Sequence, residues 1–322
     1  SVTVDSDNKR YWAIDGVLFK LSGKTDVNGL ELYPSCKEDT IYYIPENVVV
    51  VNNYAFYHCR YLKKLILGEN VTTLTNNSFE YTSLEEFEVD PDNSYFFDID
   101  GVLCEDAKNS SGICLLNYPG GRDTSYYIIP DCIQTIDYRA FQGATKLRYI
   151  DIPDTVKSIN DYAFRGCSSL EYIVLPSSVA SIPGYAFASC TSLKTIVIPE
   201  TVSKIESYAF EDVAENTQLQ VYYRGTQEQW QQIEIASAMN DAVKNGDIIY
   251  QYSPVVTSNK TATVGSTGAL VGNIASYLQD AGLYNCVELT SGAEIITNNS
   301  FANLTGVECI ALPDTITTIE EN

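Results

Sequence analysis

Hydrophobic positions in the middle of the chain recur at a fixed interval of 23 residues. Four Ala-Phe pairs and four prolines repeat at this interval. The pairs are Ala140-Phe141, Ala163-Phe164, Ala186-Phe187 and Ala209-Phe210, and the prolines are Pro130, Pro153, Pro176 and Pro199. A period in the range of roughly 20–50 residues, held by several columns at once, is typical of a solenoid.

Each unit fits the template L-x-x-I-x-I-P-x-x-V-x-x-I-x-x-x-A-F-x-x-C-x-x, and its fullest copies are Leu147–Ser169, Leu170–Ser192 and Leu193–Glu215. Alternation from Leu170 to Leu175 predicts a short strand, which Pro176 ends because proline cannot donate to a strand ladder. The segment before each Ala-Phe pair is too short for a regular helix and suits a tight or 3₁₀ turn. We therefore predict a mostly β solenoid with short helical or 3₁₀ turns, whose units must stack to bury their apolar faces.

A longer interval of 85 residues relates Val4–Phe19 to Val89–Cys104. Both segments carry an Asp-Gly pair, Asp15-Gly16 and Asp100-Gly101, between apolar runs, and this pattern predicts β-hairpins. About 39 residues are thus inserted between ordinary units at two places, about residues 5–45 and 90–130. We expect these inserts to project from the solenoid wall as hairpins.

The C-terminal third is less uniform. Residues 1–252 are predicted to form one repeat solenoid, closed at about 218–252 by an end cap with a short helix or turn in Thr226–Ile235 and an edge strand at Asp247–Tyr252. Residues 253–268 are rich in Ser, Thr and Gly and favour a linker. Leu270–Ala281 fits an amphipathic helix. Residues 269–322 begin a second repeat segment that stops part way through a unit, which predicts that the natural protein continues beyond it.

The repeat template, the insert motif and the segment Val221–Trp230, "VYYRGTQEQW", resemble the BspA-type leucine-rich repeat proteins, which are surface proteins of bacteria and some protists. The resemblance covers residues 1–252 closely and 284–322 again. It implies a curved right-handed superhelix with a β-sheet on its concave face, and an adhesive or ligand-binding role outside the cell. Gly68 departs from the pattern in place of the strand-ending proline, and Asn77 and Asn299 replace the usual tyrosine.

Charge and composition narrow the classes of partner. The formal net charge of −22 argues against nucleic acid and against an anionic membrane surface. An apolar content of 45% excludes a chain that is a disordered acidic tail. No apolar run approaches the ~18 residues that a helix needs to span a bilayer. The chain begins without Met or a signal-peptide core, so we interpret it as a mature or trimmed chain, and its secretion rests on the resemblance.

Nine cysteines are present. Cys59, Cys167 and Cys190 share one repeat column with Thr82, Ala144 and Val213, which predicts a small buried slot where cysteine acts as a small hydrophobe. Cys104 and Cys114 flank the loop of the second insert, so a disulfide between them across the two strands is one alternative and two free thiols are the other. No C-x₂-C pair supports a zinc site, and we expect no metal or other cofactor.

Little in the sequence points to catalysis. The only histidine, His58, has no metal-binding partner motif and is interpreted as a packing or solvated residue. Two groups of aspartates are better suited to turns than to weak calcium binding, because Asp bonds its own backbone in turns. They are Asp5, Asp7 and Asp15, and Asp90, Asp92, Asp98 and Asp100. The sequence alone does not decide whether two carboxylates meet as a glycosidase pair. We expect a non-enzymatic protein.

The tyrosine surplus forms one column, Tyr54, Tyr162, Tyr185 and Tyr208. A packing ladder that seals the turns is favoured, with a protein- or glycan-binding surface as the alternative.

The outward positions of the predicted strands are the preferred binding stripe, because a row of exposed apolar residues is unusual on a monomer. The stripe residues are Lys64, Ile66, Glu86, Glu88, Tyr149, Asp151, Tyr172, Val174, Thr195 and Val197. We expect them to contact a host or bacterial surface protein, in adhesion or protein binding. A glycan-binding surface protein and an architectural spacer without a ligand remain open.

Overall fold

A computed structural model of the chain describes residues 1–22, 26–75, 78–107, 112–213 and 219–250, and beyond these the backbone of six short strands. The chain winds in coils, and most coils contribute one strand to each of two parallel ladders. Within the described residues up to 250, the helices are α1 (Gln227–Trp230) and α2 (Asp241–Lys244). In chain order the strands up to residue 250 are β1 (Tyr11–Ile14), β2 (Val17–Ser22), β3 (Asp26–Leu32), β4 (Ile41–Tyr43), β5 (Val50–Val51), β6 (Lys64–Leu67), β7 (Thr73–Leu74), β8 (Glu86–Val89), β9 (Phe96–Ile99), β10 (Val102–Ala107), β11 (Gly112–Asn117), β12 (Tyr126–Ile128), β13 (Ile133–Ile136), β14 (Tyr149–Asp151), β15 (Ser158–Ile159), β16 (Tyr172–Val174), β17 (Ser181–Ile182), β18 (Thr195–Ile198), β19 (Lys204–Ile205), β20 (Gln220–Tyr223), β21 (Glu234–Ile235) and β22 (Asp247–Ile249).

The front ladder consists of the strands predicted from the template. It forms one sheet in the order β4-β6-β8 and a second in the order β12-β14-β16-β18-β20-β22, and all of these strands are parallel. The back ladder consists of two- to four-residue strands formed by the second apolar pair of each unit, such as β17 and β19. The predicted fold class, a mostly β repeat solenoid with inserted hairpins, is confirmed.

A column of stacked phenylalanines lies at the turn between the ladders. Phe141, Phe164, Phe187 and Phe210 are at most 1% exposed, and their ring centroids are 5.3–5.5 Å apart. The backbone N–H of each of the first three phenylalanines donates to the alanine carbonyl of the next coil, for example from Phe164 to Ala186 at 2.9 Å. The turn is therefore a third ladder, in which apolar stacking and backbone hydrogen bonds join the same neighbours.

The inserts do not project from the wall, contrary to our expectation. Each forms three antiparallel strands, β1-β2-β3 and β9-β10-β11, and its last strand pairs in parallel with the back ladder. The Asp-Gly turns form as predicted, with left-handed φ values of 50° at Asp100 and 72° at Gly101. The inserts lie in the wall because their strands carry core residues, among them Val17, Phe19 and Leu30, which are buried.

The second insert, β9-β10-β11, divides the interior into two cores. Side chains alternate along β10, so Leu103 packs into the first core, around Phe56 and Phe87. Its neighbours Val102 and Cys104 pack into the second core, which holds the stacked phenylalanines. The first core therefore ends on the same strand on which the second begins.

The second core is closed at its far end by the predicted cap. Thr226 and Gln229 form a capping box at the start of α1, and Trp230 is buried with its ring 5.1 Å from that of Tyr223. Asn240 is fully buried. Its side-chain oxygen accepts the N–H of Phe210 at 3.2 Å, and its side-chain nitrogen donates to the carbonyl of Glu206 at 2.9 Å. This amide thus takes the place of the alanine carbonyl that a further coil would supply.

Beyond residue 250, six strands are described: β23 (Val255–Ser258), β24 (Thr261–Val264), β25 (Cys286–Leu289), β26 (Ile295–Ile296), β27 (Cys309–Ala311) and β28 (Thr318–Ile319). Strands β23 and β24 form an antiparallel pair inside residues 253–268, so the segment expected to be a linker contains paired strands, which its valines and threonines favour. Strands β25 and β27 are parallel, as in a resumed repeat. The helix predicted at Leu270–Ala281 lies outside the described residues, and the division into domains stays a prediction.

The phenylalanine column yields a direct test of stacking. Substitution Phe164→Ala removes a ring that contacts both neighbouring rings, so we expect the free energy of unfolding to fall by about 3–5 kcal/mol. Ser181→Ala, at an exposed back-ladder position, should change it by less than about 0.5 kcal/mol. Denaturant unfolding followed by circular dichroism measures both, and equal effects would contradict the column's role.

Candidate functional site

The outward side chains of the front ladder form two rows, which we call the front face. Each strand has two outward positions. The strand register places the first of them beside the first of the next strand, and the second beside the second. In the larger sheet the first row is Tyr126, Tyr149, Tyr172, Thr195, Gln220 and Asp247, and the second row is Ile128, Asp151, Val174, Val197, Tyr222 and Ile249. The face is thus mainly aromatic and aliphatic, with one carboxylate in each row, Asp247 in the first and Asp151 in the second.

Three of the stripe residues expected to face solvent are buried. Tyr149 is 3%, Thr195 5% and Val197 1% exposed. Parallel strands lie only about 4.8 Å apart, so bulky neighbours in a row cover one another. Tyr149 packs between Tyr126 and Tyr172, and Val197 lies between Val174 and Tyr222 in the register. Tyr172, Val174 and Asp151 remain half-buried and accessible.

The smaller front sheet is charged, and the structure brings its predicted residues together. Lys64 on β6 forms ion pairs with both Glu86 and Glu88 on β8, the second at 2.7 Å. Hydrogen bonds to Glu86 and Glu88 raise the pKa of Lys64. Ile66 is half-buried beside this group. The stripe is therefore charged on one side of the second insert and apolar on the other.

A charged group lies next to the apolar rows. Glu171 accepts from Arg148 Nε at 2.8 Å and from Lys194 Nζ at 3.1 Å. Burial favours a higher pKa for Glu171, but the hydrogen bonds from Arg148 and Lys194 outweigh it, so the pKa is lowered and the carboxylate stays charged. The guanidinium carbon of Arg148 also lies 5.1 Å from the ring centroid of Tyr149. A polar rim thus lies beside the tyrosine row.

Asp151 is the unusual ionisable group of the front face. It lies between Ile128 on β12 and the backbone beside Val174 on β16. Burial raises the pKa of its carboxyl from 3.8 to about 7, and the charges of Asp131 and Asp154 add to the effect. The front face therefore changes charge near neutral pH.

The tyrosine column is a packing ladder for three of its members. The rings of Tyr162, Tyr185 and Tyr208 stack nearly parallel, with centroids 4.5 and 4.8 Å apart. Tyr54 does not join this ladder, since the column position one unit before Tyr162 holds Arg139 and not a tyrosine. It contacts Tyr57 instead, at 5.4 Å.

His58 belongs to an aromatic cluster. Its imidazole stacks on Tyr81 at 5.1 Å and meets Tyr57 edge-on at 4.3 Å. Within the described ranges, no three His, Cys, Asp or Glu side chains converge as a metal site would require. The turn interpretation of the aspartates agrees with their bonds: Asp5 accepts from Asp7 N–H at 2.8 Å, and Asp90 from Asp92 N–H at 2.9 Å.

The cysteine column is a buried slot, as predicted. Cys167 and Cys190 are fully buried, and their thiols donate to the carbonyls of Phe141 and Phe164 at 3.2 and 3.1 Å. Cys104 and Cys114 are both free thiols. The register of β10 and β11 places Cys104 opposite Leu115, one position away from Cys114, so the two side chains point to opposite faces.

One cavity was not predicted from the sequence. It lies where the last coil of the first core meets the second insert, and its volume is about 220 Å³. Its lining combines residues from β7, β10 and the turn after β13, which are distant in sequence. The 85-residue interval locates the insert but gives no sign that a cavity lies beside it.

The chain resembles known repeat proteins. It matches a family model described as BspA type leucine rich repeat region, in six copies over residues 29–98, 121–224 and 275–322. A leucine rich cell surface protein from Faecalibacterium prausnitzii is 27% identical, covering 62% of this chain and 63% of that one, with a TM-score of 0.47. A leucine-rich repeat protein from Eubacterium ventriosum is 22% identical, covering 86% and 62%, with a TM-score of 0.50.

These alignments span less than two thirds of either structure. No curated protein sequence matches the chain significantly. Among the described residues, no helix has both the length and the apolar character required to cross a membrane.

Thiol burial predicts which cysteines react. Burial raises the pKa of Cys59 and of Cys104 to about 12, so little reactive thiolate forms at neutral pH. We expect iodoacetamide to modify exposed Cys36 and Cys132 quickly in the native protein, and Cys59, Cys104 and Cys167 only after unfolding. Peptide mapping by mass spectrometry measures each site, and equal native rates at Cys36 and Cys167 would refute the buried slot.

Asp151 predicts a pH-dependent stability. Its folded pKa lies above the unfolded value, so the folded state binds more protons between about pH 4 and 7, and stability falls as pH rises through this window. Asp151→Asn removes the ionisation. We expect the free energy of unfolding of the variant to exceed that of the wild type by about 2–4 kcal/mol at pH 8 and to differ little from it at pH 4.

Denaturant unfolding across this pH range measures the difference. Asp92→Asn, at an exposed turn, should show no comparable pH dependence. If the free energies of unfolding of Asp151→Asn and the wild type differed by the same amount at every pH, this would argue against a raised pKa of Asp151.

Proposed function

Because the chain belongs to the family of BspA-type leucine-rich repeat proteins, we propose that it is a non-enzymatic protein-binding module of a cell-surface or secreted protein. The function it serves is adhesion, through contact with a host or bacterial surface protein. The description of the Faecalibacterium prausnitzii relative as a cell surface protein supports this location.

The front face of the larger sheet carries the proposal. Its half-buried residues Tyr126, Tyr172 and Val174 lie on a rigid sheet, and the Arg148–Glu171–Lys194 group borders them. An apolar, aromatic centre with a polar rim is the usual anatomy of a protein interface. Tyrosine is also among the residue types that contribute most to binding energy.

Charge restricts the partner. The chain carries a net charge of −22, so long-range repulsion disfavours acidic partners and favours neutral or basic ones. The partner we propose is therefore a neutral or basic surface protein and neither nucleic acid nor an anionic membrane.

The test compares two tyrosine substitutions. Tyr172→Ser removes a ring from the front face, and Tyr61→Ser removes an exposed ring in the turn before β6, outside that face. We expect the wild type and Tyr61→Ser to bind at least one member of a panel of purified extracellular-matrix and surface proteins. Tyr172→Ser should weaken that binding at least about tenfold, as loss of a central interface aromatic does.

Biolayer interferometry against the panel measures the affinities, with mucin glycans included. Binding to the glycans alone would favour a glycan-binding protein. An absence of binding to any panel member would favour an architectural spacer, and an equal loss in both variants would exclude the front face.

A further inference from the structure

The cavity beside the second insert lies at an interruption of the back ladder. Strand β7 is the last strand of its sheet, and the second insert begins a new sheet. The outer edge of β7, at Thr72–Thr75, therefore lines an opening of about 220 Å³ instead of pairing with a further strand. Leu103 and Glu105 of β10 line the opposite wall.

The charged side chains that line the cavity are mostly acidic. They are Glu80, Glu105, Asp137 and Arg139. Arg139 forms an ion pair with Glu80 across the junction of the two cores. Asp137 accepts one hydrogen bond from Asn160 at 2.9 Å. Burial raises the pKa of Glu105, and the negative charge of Asp137 adds to the effect. Two carboxylates thus remain in the cavity without a cationic partner among the described residues.

Buried polar atoms of the same lining, among them Gln142 Oε1 and Arg139 Nε, have no hydrogen-bond partner among the described residues. Gln142 Oε1 is inaccessible to solvent and accepts no hydrogen bond from any described residue. Buried polar atoms are nearly always paired, so an unpaired acceptor in a cavity indicates a missing donor. A ligand that carries N–H groups and a positive charge would meet the two carboxylates in the cavity, and rotation of the Gln142 side chain would bring its oxygen to the same ligand.

The remaining lining is apolar. Phe79, Phe96, Leu103 and Leu116 all face the cavity. At about 220 Å³ it is smaller than the pockets of ~300–1,000 Å³ that enclose drug-sized ligands, so it suits one side chain or one small group. Lysine and arginine combine an apolar stem with a charged head that donates hydrogen bonds.

We propose that this junction cavity binds a basic side chain, lysine or arginine, of a partner protein. The apolar residues hold its stem, and Glu105, Asp137 and Gln142 hold its charged head. This inference rests on the proposed function, since it names the chemistry of the partner, but it places the contact away from the front face. The net charge of −22 favours the approach of a basic partner.

The experiment uses small probes, so its result does not depend on finding the partner. The full chain is titrated with Nα-acetyl-lysine methylamide, Nα-acetyl-arginine methylamide and the uncharged Nα-acetyl-norleucine methylamide, with ¹H–¹⁵N NMR at pH 7.5. We expect one or both basic probes to shift the amide signals of Gln142 and Asn117, with a dissociation constant in the approximately millimolar range expected of so small a ligand. The norleucine probe should shift them far less.

Variants with equal charge changes separate the cavity from general acidity. The variant E105Q/D137N should weaken binding at least about tenfold, because the charged head loses both carboxylates. The variant D92N/D106N removes two exposed carboxylates outside the cavity lining, and its affinity should stay within about twofold of the wild type. Circular dichroism checks folding, and E105Q alone serves if the double variant does not fold.

Several outcomes would overturn the proposal: no shift at Gln142 and Asn117, equal shifts with norleucine, or equal binding by wild type and E105Q/D137N. Binding of N-acetylglucosamine at these signals, unaffected by E105Q/D137N, would assign the cavity to a sugar instead. Loss of partner binding by Tyr172→Ser leaves this titration unchanged, so the two proposals fail independently.

Discussion

The structure depends on the contact between one coil and the next. A single unit of 23 residues has too little apolar surface to fold alone, so its phenylalanine, its two short strands and its turn all require a neighbour. The stacked rings and the phenylalanine-to-alanine hydrogen bonds join the same pairs of coils. The strands beneath the front face are therefore held by the front ladder and the turn ladder together, and the back ladder adds a third connection where its strands pair.

The same period governs the polar groups. Arg148, Glu171 and Lys194 are one unit apart, as are Asp137 and Asn160, and both sets are bonded across coils. Repeat spacing thus converts a distance in sequence into a contact between side chains. It also explains why outward residues are less exposed than alternation suggests. The alternation within one strand tells which side chains point outward. It does not tell that Tyr149 is covered by Tyr126 and Tyr172, because these two tyrosines come from the neighbouring coils.

Much of the fold could be predicted from the sequence because it is local and repeated. The strand ends at proline, the phenylalanine column and the cysteine slot of Cys167 each follow from residues within one unit. The position of the inserts in the wall did not follow, since Asp100-Gly101 predicts a hairpin but not the strand with which it pairs. The cavity was also missed, because it brings Thr73 and Glu105 together with Asp137 through a junction that occurs once. Features that recur in every unit can be predicted from the sequence of one unit. A feature that forms at a single junction between units cannot be predicted in this way.

Asn240 has a consequence for self-association. A solenoid ends in unpaired backbone groups, which offer other chains an edge on which to add strands. The side-chain amide of Asn240 occupies the hydrogen-bonding position at the end of the turn ladder, and Trp230 covers the apolar end of the core. The residues at this end therefore keep the turn ladder from acting as a template for polymerisation.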